Sequence, residues 1–210
     1  HSDLKKVADT MLDEIVKQND YYSSSKGIEF FQKFQNKQIP RATVVGCSDS
    51  RFQEGALDAT PENDLFVIRN IGNQISSNMG SVDYGVHHLH TPLLLVVGHS
   101  RCGAVKAALS DYTGESAHIR KELDSLSLSM RRVSLSGKSD VDWLNGVIEN
   151  VHQQVAYAKA SYHEEVESGK LTIVGVVYDL GNDLKAGYGK VRIININGET
   201  NPSKIQSLRS

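Results

Sequence analysis

Apolar residues recur at helical spacing over residues 3–20, where Leu4, Val7, Met11, Leu12, Ile15 and Val16 alternate with charges. That pattern predicts an amphipathic helix that packs on the body of the protein or on a neighbouring subunit. An SSSKG segment should break it, and residues 27–37 predict a second helix with Ile28, Phe31 and Phe34 on one side. Pro40 ends that helix and leads into a short apolar β-branched run at 42–46. A second strand is expected at 64–69 after turn chemistry at Pro61-Glu62-Asn63. Residues 80–89 read as a helix with Val82, Val86 and Leu89 as its apolar stripe and Tyr84 on another face. The run at 93–98 is continuously apolar, which suits a central parallel strand buried on both faces.

Helix resumes at 104–109, placing Cys102 and Gly103 at a helix N-terminus, where backbone N–H groups favour a thiolate. A charged helix at 118–133, a polar linker at 134–140 and a long helix at 143–166 follow. Strands are expected at 171–178 and 191–196, separated by a turn at Gly181-Asn182-Asp183. Alternating strands and helices predict an α/β fold: a mostly parallel central sheet flanked by helices, with an N-terminal helical arm. The whole chain, 1–210, reads as a single domain with the arm at 1–37, the core at 38–198 and a polar tail at 199–210. Sites in such sheets form beyond the carboxyl ends of strands.

Composition narrows the function. A net charge of −2 and the lack of a basic stripe give no reason to expect nucleic acid. The apolar runs fall far short of the roughly 20 residues that cross a membrane. No signal peptide is visible, and a cytoplasmic location is expected, although the chain opens on His1 and removal of a targeting segment stays open.

Chemistry concentrates at two stretches, TVVGCSDSR at 43–51 and LLLVVGHSRCG at 93–103. Each is an apolar run ending in Gly, followed at once by metal-binding or titratable side chains. Cys47, His99 and Cys102 are two thiolates and an imidazole, a ligand set that zinc takes when one tetrahedral position stays open. A structural site would want a fourth protein ligand, and the chain holds only 2 cysteines. A disulfide, or two inert buried thiols, is the alternative; the H-x-x-C spacing of His99 and Cys102 favours metal. Asp49 and Arg51 follow Cys47 closely enough to stand beside the open position.

CSDSR and GHSRCG, with FVIRNIGN between them and SVDYGVHHL before the second, closely resemble the motifs of the β-class carbonic anhydrases. The resemblance is strong over 38–109, weaker near the strand at 175–179, and only general elsewhere. It implies one zinc per chain on Cys47, His99 and Cys102, with Asp49 and Arg51 as a catalytic dyad. The reaction implied is reversible hydration of carbon dioxide to bicarbonate and a proton by hydroxide generated at the metal. Two thiolate ligands cancel the ion's charge, so activity should rise toward alkaline pH. Gln38 matches a glutamine that reaches a neighbouring subunit's pocket, Phe66, Ile71 and Tyr84 match its apolar wall, and Gly103 supplies a backbone N–H. A homodimer or higher homo-oligomer follows. Members regulated by bicarbonate carry a tryptophan where this chain has Val44, so that regulatory site is not expected even though Arg69 and Tyr84 are present, and the open form of the site is.

Three rival readings remain: hydrolysis of carbonyl sulfide or carbon disulfide on the same scaffold, a structural zinc domain, and a metal-free cysteine hydrolase. His87, His88 and His90 read as ordinary surface histidines on a helix.

Overall fold

The computed structural model describes residues 2–210. They divide into two compact units, one ending at Gln38 and the other spanning Ile39–Ser210.

The first unit is helix α1, Ser2–Gln32, interrupted at Gly27, whose torsions (φ 76°, ψ 170°) leave the helical region. The break comes later than the serine run predicted. Ser24 and Ser25 satisfy their hydroxyls on the carbonyls of Asp20 and Tyr22 (2.9 Å each), so the helix passes through them. The segment beyond Gly27 is shorter than the helix expected over 27–37. Leu4, Val7, Met11, Leu12, Ile15 and Val16 are all exposed.

The second unit carries a five-stranded sheet in the order β2-β1-β3-β4-β5. Its strands are β1 (Ala42–Cys47), β2 (Leu65–Asn70), β3 (Leu93–His99), β4 (Thr172–Asp179) and β5 (Lys190–Ile196). All neighbours are parallel except β4 and β5, which are antiparallel. Every residue of β1 is buried, which is why it reads as an unbroken apolar run rather than an alternating one. From β1 the chain moves to one side of the sheet, and from β3 to the other. Their carboxyl ends therefore flank the point where connections diverge, the usual place for a site in such sheets.

Between β2 and β3 lies α2 (Met79–Asp83), which widens into a π-helical turn over Tyr84–His88. After β3 come α3 (Gly103–Ala108) and α4 (Ala117–Ser129), the latter capped by Ser116 accepting from the Ile119 N–H. The long helix α5 (Ser139–Ser161) ends at Tyr162, and α6 (His163–Glu167) follows it where one helix was expected. The buried stripe of α5, Val147, Val151, Val155 and Ala158, joins the core built on β1, β3 and β4. The supposed polar tail is in part helix α7 (Pro202–Arg209), capped by Asn201 and anchored by buried Ile205. Among the described residues no helix is long and apolar enough to cross a membrane.

One contact sets how closely the 79–88 segment sits on the sheet. A Cβ on Gly85 would lie 2.1 Å from Thr43 Oγ1, which itself hydrogen-bonds Thr91 Oγ1 at 2.8 Å. Neither partner can give without breaking a buried hydrogen bond. Gly85→Ala is expected to destabilise the protein by about 2 kcal/mol or more, the scale of overpacking a filled core. Urea unfolding of the variant beside the parent checks this, and an unchanged midpoint would show that the segment lifts freely.

Candidate active site

Cys47 is the last residue of β1 and His99 the last of β3, so the sheet delivers both to one edge. Beyond His99 the chain turns through Ser100 and Arg101, and Cys102 caps the N-terminus of α3. The three ligand atoms lie within 4.8 Å of one another, all on buried residues, and no other such group of His, Cys, Asp or Glu occurs among the described residues.

The two sulfurs are 4.0 Å apart and both cysteines are free, far from the roughly 2 Å of a disulfide. Two thiolates on one tetrahedral zinc, at about 2.3 Å each, would stand about 3.8 Å apart, so the spacing fits an ion between them. His99 donates from Nδ1 to the Ser100 carbonyl (2.9 Å), which turns Nε2 inward. That Nε2 is buried and has no hydrogen-bond partner in the structure. A ring nitrogen so oriented is what a metal ligand requires.

The electrostatics favour an anionic sulfur at Cys47. Hydrogen bonding from Cys102, helped by His99 and the Gly72 N–H, holds Cys47 well below the usual thiol range. The same interaction, with burial, pushes Cys102 up, while the N–H groups of Val105 and Ala104 act against that rise.

Asp49 and Arg51 close the site on one side. Arg51 donates from Nε to Asp49 Oδ1 (2.9 Å) and from Nη2 to Oδ2 (2.6 Å), and its backbone N–H reaches Oδ1 at 2.9 Å. This fork holds the Asp49 carboxyl down to about 2. Asp49 Oδ2 stands 3.7 Å from His99 Nε2, beside the ligand cluster.

Sequence reasoning missed how the loop carrying Asp49 is held. Arg69 donates to the carbonyls of Cys47 (2.9 Å), Asp49 (2.8 Å) and Phe52 (2.8 Å), fastening the turn after β1 from the neighbouring strand. Its place in β2, paired with Gly46, was readable, but its targets are backbone oxygens that no motif announces. Trp143 Nε1 likewise donates to the Cys102 carbonyl at 2.7 Å.

The remaining predicted site residues are distributed unevenly. Ile71 and Gly103 adjoin the cluster in sequence, the first after Asn70, which pairs with Cys47, and the second after Cys102. Phe66 and Tyr84 stack on each other at 5.7 Å. Phe66, however, pairs with Thr43, four residues before Cys47, so it sits roughly 13 Å along the strands from the ligand end. Within one chain this pair is not brought to the ligands. Gln38 is exposed and belongs to the first unit. Of the histidine group, His87 pairs with Glu165 at 2.9 Å and His88 lies against Tyr84 at 4.4 Å, and all three are exposed.

A family model described as carbonic anhydrase matches residues 42–185. The carbonic anhydrase 2 of Mycobacterium tuberculosis H37Rv is 36% identical over 150 residues, covering 68% of this chain and 72% of that protein. A Coccomyxa β-carbonic anhydrase solved in complex with acetazolamide matches with a TM-score of 0.75 and 27% identity, over 94% of this chain and 90% of that one. A structure from Sordaria macrospora, described among two tetrameric β-carbonic anhydrases, shares the fold with a TM-score of 0.76 at 23% identity, over 89% of this chain and 98% of that one. The matched segment runs from the first residue of β1 through both ligand-bearing strands and on past β4. With the cysteine–histidine–cysteine cluster at its centre, this chain belongs to the β-class carbonic anhydrase family.

Proposed function

We propose that this chain reversibly hydrates carbon dioxide to bicarbonate and a proton, with one zinc ion held by Cys47, His99 and Cys102. The observation that carries the reading is the three-ligand cluster with Asp49 beside it, held there by Arg51 rather than serving as a fourth ligand. Zinc in that cluster supplies Lewis acidity, bringing the pKa of water from about 16 toward about 7.

The chain's own residues do the rest. Arg51 keeps the Asp49 carboxylate charged and turned toward itself. Asp49 accepts the O–H of the attacking hydroxide, which directs the oxygen's lone pair at the carbon of CO2. The Gly103 N–H and the side chain of Ile71 lie next along the chain from the site and would receive an oxygen and an apolar edge of the substrate. CO2 offers no net charge to grip, so a narrow apolar wall suits it better than a charged one.

Gln38, Phe66 and Tyr84 complete that wall in this reading from a second copy of the chain, since Phe66 and Tyr84 stand at the far end of their own sheet. The exposed apolar residues of α1 support a homodimer or larger homo-oligomer, because an isolated helix would not keep so many in water.

A side-by-side assay tests the substrate. Stopped-flow CO2 hydration and hydrolysis of carbonyl sulfide, followed by released sulfide, are measured on one zinc-loaded sample. CO2 is expected to turn over faster by at least about 100-fold, a margin of roughly 3 kcal/mol in transition-state binding. Faster carbonyl sulfide turnover would transfer the assignment to that substrate.

A further inference from the structure

Arg101 sits between the ligands His99 and Cys102 in the left-handed region at φ 61°, uncommon for a residue with a Cβ. Its carbonyl accepts from Arg51 Nη2 at 3.0 Å, the same nitrogen that donates to Asp49. Its side chain leaves in another direction, donating from Nε and Nη2 to Asp183, each at 3.3 Å. Asp140 and Tyr188 also face that guanidinium.

Asp183 is itself held in place. Its backbone N–H and that of Leu184 donate to the buried Asp179 carboxylate at 2.8 and 2.7 Å. The Gly181 N–H donates to Ser100 Oγ at 3.0 Å. A Cβ on Gly181 would lie 2.5 Å from Arg101 Nε, so the loop after β4 lies directly against the ligand turn.

We infer that the Arg101–Asp183 ion pair is a latch that positions the Asp49–Arg51 dyad from the loop after β4. The inference rests on the reading that this dyad works beside a metal held by Cys47, His99 and Cys102. Arg51 is half exposed and has a long flexible stem; besides Asp49, the Arg101 carbonyl is the acceptor that holds its Nη2. The direction of that carbonyl follows from Arg101's unusual backbone, which the ion pair braces. Without the brace the turn relaxes, Arg51 loses an acceptor, and Asp49 spends more time over the metal's open position. Arg101 and Asp183 are thus positioning residues, and neither touches substrate.

The test uses the whole chain loaded with cobalt(II), titrated with azide and followed by visible absorption, with CO2 hydration measured in parallel. Arg101→Asn keeps a residue that tolerates left-handed backbone while removing the ion pair. Azide should bind roughly two- to fivefold more weakly and kcat/KM fall by a similar factor, the scale of an exposed ion pair, with cobalt per chain unchanged. Asp183→Asn should shift both the same way but less, because Asp140 still faces Arg101, and Asp183→Glu should restore them. In an Asp49→Ala background, Arg101→Asn should leave azide binding unchanged.

Azide affinity equal to the parent's in fully loaded Arg101→Asn and Asp183→Asn overturns the latch, as does an effect that persists without Asp49. If Arg101→Asn does not load cobalt, Asp183→Asn decides by the same criteria; if that also fails to load, the pair supports the ligand turn and not the dyad, which equally overturns the proposal. A parent chain that binds azide but does not hydrate CO2 would sink the substrate assignment while leaving the latch to stand or fall on azide alone.

Discussion

Cys102→Ser is expected to lose zinc and CO2 hydration together, with hydration falling by roughly 1000-fold or more, beyond the 10–100-fold typical when only a group behind a ligand is lost. Cys102 is 1% exposed; the Cys47 sulfur and burial push its thiol up, while the N–H groups of Val105 and Ala104 act the other way, and a cation between the two sulfurs would draw off its proton. A serine hydroxyl in the same place is shorter, harder and does not ionise near neutral pH, so it offers zinc a poor ligand. Two remaining protein ligands would not hold the ion against dilution. Metal analysis of purified Cys102→Ser beside the parent, with stopped-flow hydration on both, checks this. Zinc retained at one per chain would mean that Cys102 is not a ligand. Zinc absent from the parent as well, with alkylation of Cys47 abolishing a hydrolytic activity, would point to the cysteine-nucleophile reading.

Asp49→Ala should separate the metal from the chemistry. The variant keeps zinc, because Asp49 lies beside the ligand cluster and is paired with Arg51 rather than ligating, but hydration falls by about 100-fold or more. The pH profile adds a second readout. Asp49 is held down to about 2 by the Arg51 guanidinium, so it is a carboxylate throughout any hydration assay. A rate that climbs with pH near neutrality therefore cannot come from Asp49 ionising, and its midpoint should persist, at lower amplitude, in Asp49→Ala. The same depressed pKa gives a stability contribution that is present above about pH 4 and lost as pH falls through about 2. In Asp49→Ala that part of the acid sensitivity disappears. Full hydration by Asp49→Ala would remove the dyad from the account and leave only the ligand set.

Most of the site was legible because its chemistry is contiguous with the strands that present it. Cys47 and His99 terminate β1 and β3, whose unbroken apolar runs announce buried parallel strands. The parts not legible depend on contacts between distant segments or on single torsions. The serines at 23–25 look like a helix break, but Ser24 and Ser25 satisfy their hydroxyls on carbonyls one turn back and the break falls at Gly27. The polar composition after β5 hid α7, although Asn201-Pro202 is a cap followed by a proline in the first turn, a signal that composition outweighed. The widening at Tyr84–His88 leaves the apolar stripe of Val82 and Val86 unchanged, so periodicity does not register it. Arg69 reads as a charged position in a strand until the turn after β1 folds over it. Phe66 and Tyr84 carry family-like positions, yet register places Phe66 at the opposite end of β2 from Cys47's partner Asn70, which makes their use in the pocket a question of assembly.

The central claim is that Cys47, His99 and Cys102 hold one zinc that this chain uses to hydrate CO2. Stopped-flow hydration from about pH 6.5 to 9, with zinc per chain determined on the same sample, tests it most directly. The account predicts one zinc per chain and a rate that rises with pH across that range, since two thiolate ligands make the site a weaker acidifier than an all-histidine one. Stoichiometric zinc with no hydration at the alkaline end would contradict it.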